Sequence, residues 1–201
     1  MAFGQIAVTD SQGRGVTVTT PKSSTPQLIH SSPIEPETIT IYNNIGSGFD
    51  PNDGWTEGGK DSYVGLVYQA MAFIPQATHY FARTDIAMGY VQGTNGLTLY
   101  LETDNSGVPS GKKLYTCKLK NLPVFGSTST QVSTCKVPKS KKIKLTKNKR
   151  YWLVPLPNSD EWAAWNCNAT GANGLGAFTK DGVTWKWQNY NPNGAFDVLG
   201  R

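Results

Sequence analysis

The chain has 201 residues; 16% are charged, 21 are glycine, 12 are proline, and the formal net charge is +5. This length suits one large β domain, or a smaller domain with an appendage. The residues that usually build surface helices are sparse, which disfavours a helical fold. No apolar run approaches the roughly 18 residues that span a membrane.

Residues 1–38 differ from the rest of the chain. Two short β-prone pieces flank a Gly-rich turn, and prolines follow at positions 21, 26, 33 and 36. Such a stretch cannot build a core alone, so we predict an extended N-terminal arm. We expect it to dock by strand addition onto a second copy of the chain or a neighbouring structural protein. The residues predicted to carry this assembly are Ile6, Val8, Val16 and Val18.

Residues 39–201 show β-prone segments separated by turn signals about every eight to twelve residues. Examples are "TITIYNNI", "GLTLYLETD", "RYWLVPLP" and "GAFDVLG". This spacing is typical of a β-sandwich and not of alternating strands and helices. We therefore predict an all-β fold, a jelly-roll-like antiparallel β-sandwich preceded by the arm.

The segment "GSGFDPNDGWTEGGKD" reads as a loop rich in turn residues. Asp50, Asn52 and Asp53 offer hard oxygen ligands at close spacing, which is the chemistry of a structural Ca²⁺ site. Asp, Asn and Gly are also the ordinary residues of turns, so a plain turn is the alternative. No other cofactor is expected.

Cys117 and Cys135 lie in two β-like segments, "KKLYTCKLK" and "TQVSTCKVP". If these two strands pair, the cysteines can face each other and form a disulfide, as in an oxidising compartment. The alternative is two ordinary buried thiols. Cys167, the third cysteine, is expected to be a small core residue.

Positive charge is concentrated between Lys112 and Arg150, where twelve basic residues occur and no Asp or Glu. Such a band can bind an anionic polymer, for example an acidic polysaccharide, although nothing indicates specific nucleic-acid recognition. The alternative is the wet face of a strand, because Ile143 and Leu145 alternate with lysines. The residues predicted for an anion-binding face are Lys139, Lys141, Lys142, Lys144 and Lys147.

Tryptophans are concentrated near the C-terminus. Trp185 and Trp187 share one face of a strand because side chains alternate, and Asn189 is one of the polar residues that flank them. Exposed aromatic rings stack on sugar rings while neighbouring amides bind the hydroxyls, so these residues and Trp162 predict a carbohydrate site. The alternative is that these aromatic residues fill the core.

Motifs for catalysis are missing from the sequence. It contains no HExxH, no paired CxxC, no GxSxG and no phosphate-binding loop. We therefore predict a protein without enzymatic activity. A hydrolase with paired carboxylates is the remaining alternative, based on Asp160 and Glu161 beside Trp162.

The motifs of residues 39–201, taken as a series, resemble a known group of domains. "GSGFDPNDGW", "AMAFIP", "DIAMGYVQGTNGLTLYLETDNSGVPSG", "YWLVPLPNSDEWAAWN" and the terminal "GAFDVLG" occur in order. Together they resemble the bacterial secreted choice-of-anchor domains of the PEP-CTERM-associated type. The resemblance implies a β-sandwich outside the cell. It assigns no catalytic residue.

Relatives of that kind carry a signal peptide and a C-terminal anchor. Neither pattern is visible here, since the chain starts with "MAFGQ" and stops at Arg201. We expect the arm to replace the anchor, which makes the chain a display subunit on a cell surface, a filament or a virion, such as a decoration or tail protein. A secreted carbohydrate-binding or adhesion module is the second expectation.

Overall fold

A computed structural model describes residues 38–46, 48–127 and 131–201, together with the backbone of 7–9 and 15–17. Every regular element in these residues is a β-strand, and every pairing of named strands is antiparallel. The predicted all-β sandwich is thus confirmed. Most of the predicted arm lies outside the described residues. No helix suited to crossing a membrane is found in the part of the chain described.

Sixteen strands are described, numbered here in chain order. They are β1 (Ala7–Thr9), β2 (Gly15–Thr17), β3 (Ile39–Asn43), β4 (Phe49–Gly58), β5 (Tyr68–Phe73), β6 (His79–Ile86), β7 (Met88–Gln92), β8 (Gly96–Asn105), β9 (Val108–Lys120), β10 (Ser133–Lys136), β11 (Lys144–Leu145), β12 (Tyr151–Pro157), β13 (Trp162–Asn168), β14 (Gly174–Thr179), β15 (Lys186–Tyr190) and β16 (Phe196–Gly200).

The chain divides into two units, Met1–Ile34 and Glu35–Arg201. In the first, β1 and β2 pair with each other, and Val8 is opposite Val16. The second contains all the other strands. Strands from the first part of this unit pair with strands from its last part: β3 with β16, β4 with β13 and β5 with β14. The two halves of the chain thus run side by side, as they do in jelly rolls.

The larger sheet has the strand order β15-β14-β5-β12-β8-β9. The alternation of side chains explains which face of this sheet is buried. Leu97, Leu99 and Leu101 of β8 are all about 2% exposed and point into the core. Pro155 and Pro157 fit into β12 because β5 pairs only with residues 151–153 of that strand. On that side of β12 the two prolines therefore have no neighbouring named strand to which an N–H would donate.

The facing sheet has the order β10-β6-β16-β3, with β11 pairing beside β10 on β6. In β6, Phe81 pairs with Gly200 and Arg83 pairs with Leu199, so Ala82 is an extra residue on this strand. A bulge of this kind reverses the alternation of side chains. Phe81 and Thr84 are therefore both buried, and Arg83 lies on the outer face.

A third sheet, β4-β13-β7, completes the unit. The prediction of a loop at residues 46–61 was wrong for its central part, because β4 spans Phe49–Gly58. On β13, Asn166 pairs with Gly54 but Asn168 pairs with Phe49. Residues 50–53 thus form a wide bulge in an edge strand, where Pro51 and the turn-forming residues cause no conflict.

The main core lies between the two larger sheets. Phe73 of one sheet contacts Phe196 of the other with ring centroids 6.3 Å apart, and Trp165 lies 5.7 Å from Phe196. All three rings are at most 2% exposed. Full burial of such side chains contributes about 1.5–3 kcal/mol each. This packing, more than the turns, holds the sheets together.

A second, smaller apolar cluster covers the outer face of the six-stranded sheet. It is built by Ala70, Ala72, Trp152, Val154 and Ala177, all buried. Val108, at the start of β9, packs against it, and β9 contacts β14 although three strands separate them in the sheet. The β8–β9 hairpin therefore bends over this face.

Cys117 and Cys135 form a disulfide with their Cα atoms 5.9 Å apart. The disulfide considered from the sequence is present, although the two strands that carry it do not pair with each other. Cys117 lies on β9 of the six-stranded sheet, whereas β10 carries Cys135 and pairs with β6. The disulfide therefore joins the edges of two facing sheets instead of bridging neighbouring strands.

Candidate functional site

The β14–β15 ribbon presents the most exposed tryptophan of the described residues. Trp187 is 66% exposed. It lies opposite Ala177, and Asn189 lies opposite Leu175, all on the outer face of the six-stranded sheet. Because Ala177 is small, no bulky cross-strand neighbour covers the indole from that strand. The ring is accessible to a ligand from solvent.

Trp185 supports this surface from the inside. It is half-buried and packs against the second apolar cluster. Trp185 and Trp187 therefore share one face, with the first anchored and the second exposed. A flat apolar platform next to the Asn189 amide is the arrangement that binds the C–H face of a sugar ring.

The turn between β14 and β15 is held rigidly by Asp181. Its Oδ1 accepts hydrogen bonds from the backbone N–H groups of Val183 (2.8 Å) and Thr184 (2.6 Å) and from the Thr179 hydroxyl (2.8 Å). These bonds keep the pKa of Asp181 well below its ordinary value. The ribbon thus ends in an ordered turn, at which Val183 is 80% exposed.

Trp162 lies apart from this platform. It belongs to β13 of the three-stranded sheet and stacks against Tyr63, with ring centroids 5.9 Å apart and planes inclined by 22°. Tyr63 is 83% exposed. The structure therefore divides the predicted carbohydrate residues between two sheets, and it adds a second aromatic surface. Tyr63 was not singled out from the sequence because it stands alone in a turn-rich segment.

The predicted anion-binding lysines are all exposed, and they surround β11. Lys139, Lys141 and Lys142 precede that strand, Lys144 lies in it and Lys147 follows it. Ile143 and Leu145 face the core, as the alternative of a strand with one wet face requires. The strand is only two residues long. Lys141 lies with its Nζ 5.4 Å from the centroid of the Tyr115 ring.

The residues predicted for calcium lie in the bulge of β4. Asp50, Asn52 and Asp53 are exposed. Asp50 uses Oδ1 to accept a 2.9 Å bond from the Asn52 N–H, as Asp does in ordinary turns. No group of three His, Cys, Asp or Glu able to hold a metal occurs among the described residues. Burial, with Asp53 and Asp50 adding to it, raises the pKa of the neighbouring Cys167 thiol to about 12.

The paired acids of the hydrolase alternative have structural partners. Asp160 Oδ2 accepts bonds from the Thr94 hydroxyl (2.9 Å) and N–H (3.1 Å). Glu161 is fully buried and accepts a 2.9 Å bond from the Gly96 N–H. The two carboxylates thus hold the loops around β8 and β13, which gives no support to a catalytic pair.

Glu57 is a second buried acid. It is fully buried, and its Oε2 accepts a 3.0 Å bond from the Gln69 N–H while Oε1 has no partner. Burial raises the pKa of Glu57 well above its ordinary value, and the nearby Glu161 raises it further. The Gln69 side chain accepts a bond from the Tyr190 hydroxyl. Glu57 is therefore a buried carboxyl group whose surroundings favour its protonated form.

The predicted assembly residues are described only in part. Val8 lies in β1 and Val16 in β2, whereas Ile6 and Val18 lie outside the described residues.

Comparison with family models, with curated proteins and with solved structures found no match to this chain. The predicted relation to choice-of-anchor domains therefore stays a prediction.

Proposed function

We propose that this protein is a non-enzymatic β-sandwich that works outside the cell by binding a polysaccharide or another glycan. The observation that carries the proposal is the exposed indole of Trp187 on the outer face of the β14–β15 ribbon. An exposed indole offers a flat apolar face on which the C–H face of a sugar ring can stack. A sugar ring matches both the flat indole and the polar amide of Asn189.

The location outside the cell is supported by the disulfide. Cys117 and Cys135 join two sheets at their edges, and such bonds persist in oxidising compartments. A bond of this kind is useful to a domain that works without the protection of the cytoplasm.

The experiment is a glycan array probed with the full chain, followed by affinity measurements on the glycans that bind. Trp187→Ala is expected to weaken binding about tenfold, which corresponds to ~1.4 kcal/mol of aromatic contact. Val183→Ala, in the turn of the same ribbon, and Tyr63→Ala, in a different part of the domain, are the controls, because each removes an even more exposed apolar side chain. Both controls should bind as the unaltered protein does.

Two results would contradict this proposal. One is an array without any binding glycan. The other is binding that Trp187→Ala leaves unchanged, including the case in which only Tyr63→Ala weakens it. That case would move the site to the stacked pair of Tyr63 and Trp162.

A second candidate function is that of a display subunit attached through its N-terminal arm to a larger assembly. It is favoured by the division of the chain into two units, Met1–Ile34 and Glu35–Arg201, with β-pairing inside the first. Mass photometry tests it: the full chain should form multimers, and a chain lacking residues 1–38 should be monomeric. The same number of subunits in both proteins would contradict it. The two functions are compatible, because the arm and β15 belong to different units.

A further inference from the structure

A basic pocket lies on the outer face of the five-stranded sheet. It has a volume of about 190 Å³. Its walls come from β6, from β10 with the turn that follows it, and from the last residue of the chain. Four of the lining side chains are cationic, and they are Arg83, Lys136, Lys139 and Arg201.

The bulge in β6 creates this pocket. Because Ala82 is an extra residue, Arg83 points outward at the position where an unbulged strand would bury it. On the neighbouring strand, Lys136 pairs directly with Arg83, so the two cations lie side by side on the same face. Cations placed opposite each other on neighbouring strands repel.

Arg83 has an N–H donor that makes no hydrogen bond. Its Nε is buried without a hydrogen bond, since Asp85 Oδ2 lies 3.1 Å away but off the N–H direction. The other oxygen of Asp85 accepts the Thr134 hydroxyl at 2.6 Å. Within the described residues, the two terminal nitrogens of Arg83 have no acceptor either. An arginine in this state can still bind an oxyanion with two parallel bonds.

Arg201 fixes the opposite wall. Its guanidinium donates to the backbone carbonyls of Val137 (3.4 Å), Pro138 (3.2 Å) and Lys141 (2.9 Å). These bonds hold the turn that carries Lys139 against the end of β16. The pocket is therefore arranged before any ligand arrives, which lowers the entropic cost of binding.

The charge balance favours an anion. Four cations line the pocket, and Asp85 and Asp197 are the carboxylates that interact with Arg83. The Asp197 carboxylate accepts hydrogen bonds from the Asn43 side-chain amide (3.0 Å) and from the Ile45 N–H (3.3 Å). The described side chains around this partly enclosed pocket therefore carry more positive than negative charge.

We propose that this pocket binds one tetrahedral oxyanion group, a phosphate or a sulfate. Arg83 supplies the paired hydrogen bonds, Lys136 and Lys139 supply charge, and Arg201 positions the wall. The group is either a free ion or the ester of a larger molecule. This site is independent of the glycan platform, because it lies on the other large sheet.

The test is isothermal titration of the full chain with sodium phosphate and sodium sulfate, at constant ionic strength set with chloride. Saturable binding is expected. Arg83→Gln/Lys136→Gln should weaken it at least tenfold, and Arg83→Lys should weaken it less because the charge remains. Lys142→Gln/Lys147→Gln is the matched control, since it removes the same charge from exposed positions outside the pocket.

Equal weakening in the control pair would overturn the proposal, because it would show unspecific attraction to the basic band. Absence of saturation with either ion would overturn it as well. A sulfated oligosaccharide distinguishes the sources. Binding tighter than that of inorganic sulfate, and lost in Arg83→Gln/Lys136→Gln, identifies an ester as the occupant. Binding no tighter identifies the free ion.

Discussion

Removal of the disulfide is expected to destabilise the domain substantially. The two cysteines are 18 residues apart in sequence. In the chain-entropy description, closing a loop of that size stabilises the folded state by about 3 kcal/mol. For a domain of this size, such a loss lowers the melting temperature by roughly 6–12 °C. We therefore expect this shift for Cys117→Ala/Cys135→Ala, measured by circular dichroism.

Reduction of the unaltered protein is the matched control. A reductant should lower its melting temperature to that of Cys117→Ala/Cys135→Ala and should leave the double variant unchanged. Cys167, which is buried and free, is present in both samples. Equal melting temperatures for the oxidised protein and the double variant would refute the reasoning, because they would mean that the bond does not hold the sheets together.

Three further predictions concern the interior. Because folding raises the pKa of Glu57, the free energy of unfolding should fall as the pH rises above about 4.5. In thermal melts from pH 4.5 to 8, Glu57→Gln should make this decline smaller. The same dependence of melting temperature on pH in both proteins would contradict the prediction. Gly176→Ala should cost about 1–3 kcal/mol in urea unfolding, since a Cβ would meet the Tyr190 ring at 2.0 Å; a neutral effect would contradict the packing. Trp165→Ala should cost about 3–5 kcal/mol in the same assay, and a loss below 1 kcal/mol would show that the ring is not in the core.

Regular alternation made much of the fold predictable. In "GLTLYLETD" the leucines recur at every second position, and β8 buries all of them. The same alternation correctly indicated one shared face for Trp185 and Trp187. Their exposure could not be read from the sequence, because it depends on Ala177 of β14 and on the cluster beneath.

Bulges explain most of what was missed. The segment from Asp50 to Asp53 has the composition of a loop, yet it is an irregular stretch inside β4. The bulge at Ala82 has no sequence signature, so the outward position of Arg83 could not be foreseen. Of the basic pocket, only Lys139 had been predicted, since its other cations lie far apart along the chain.

The most direct test of glycan recognition is a titration followed by ¹⁵N NMR of the tryptophan indole N–H groups. A glycan found on the array should shift the Trp187 signal. The signals of Trp152 and Trp165 should stay in place, since these indoles donate to Asp104 (2.8 Å) and to the Ala195 carbonyl (3.1 Å) inside the domain. A titration that moves the Trp162 signal alone, or no indole signal, would contradict the account.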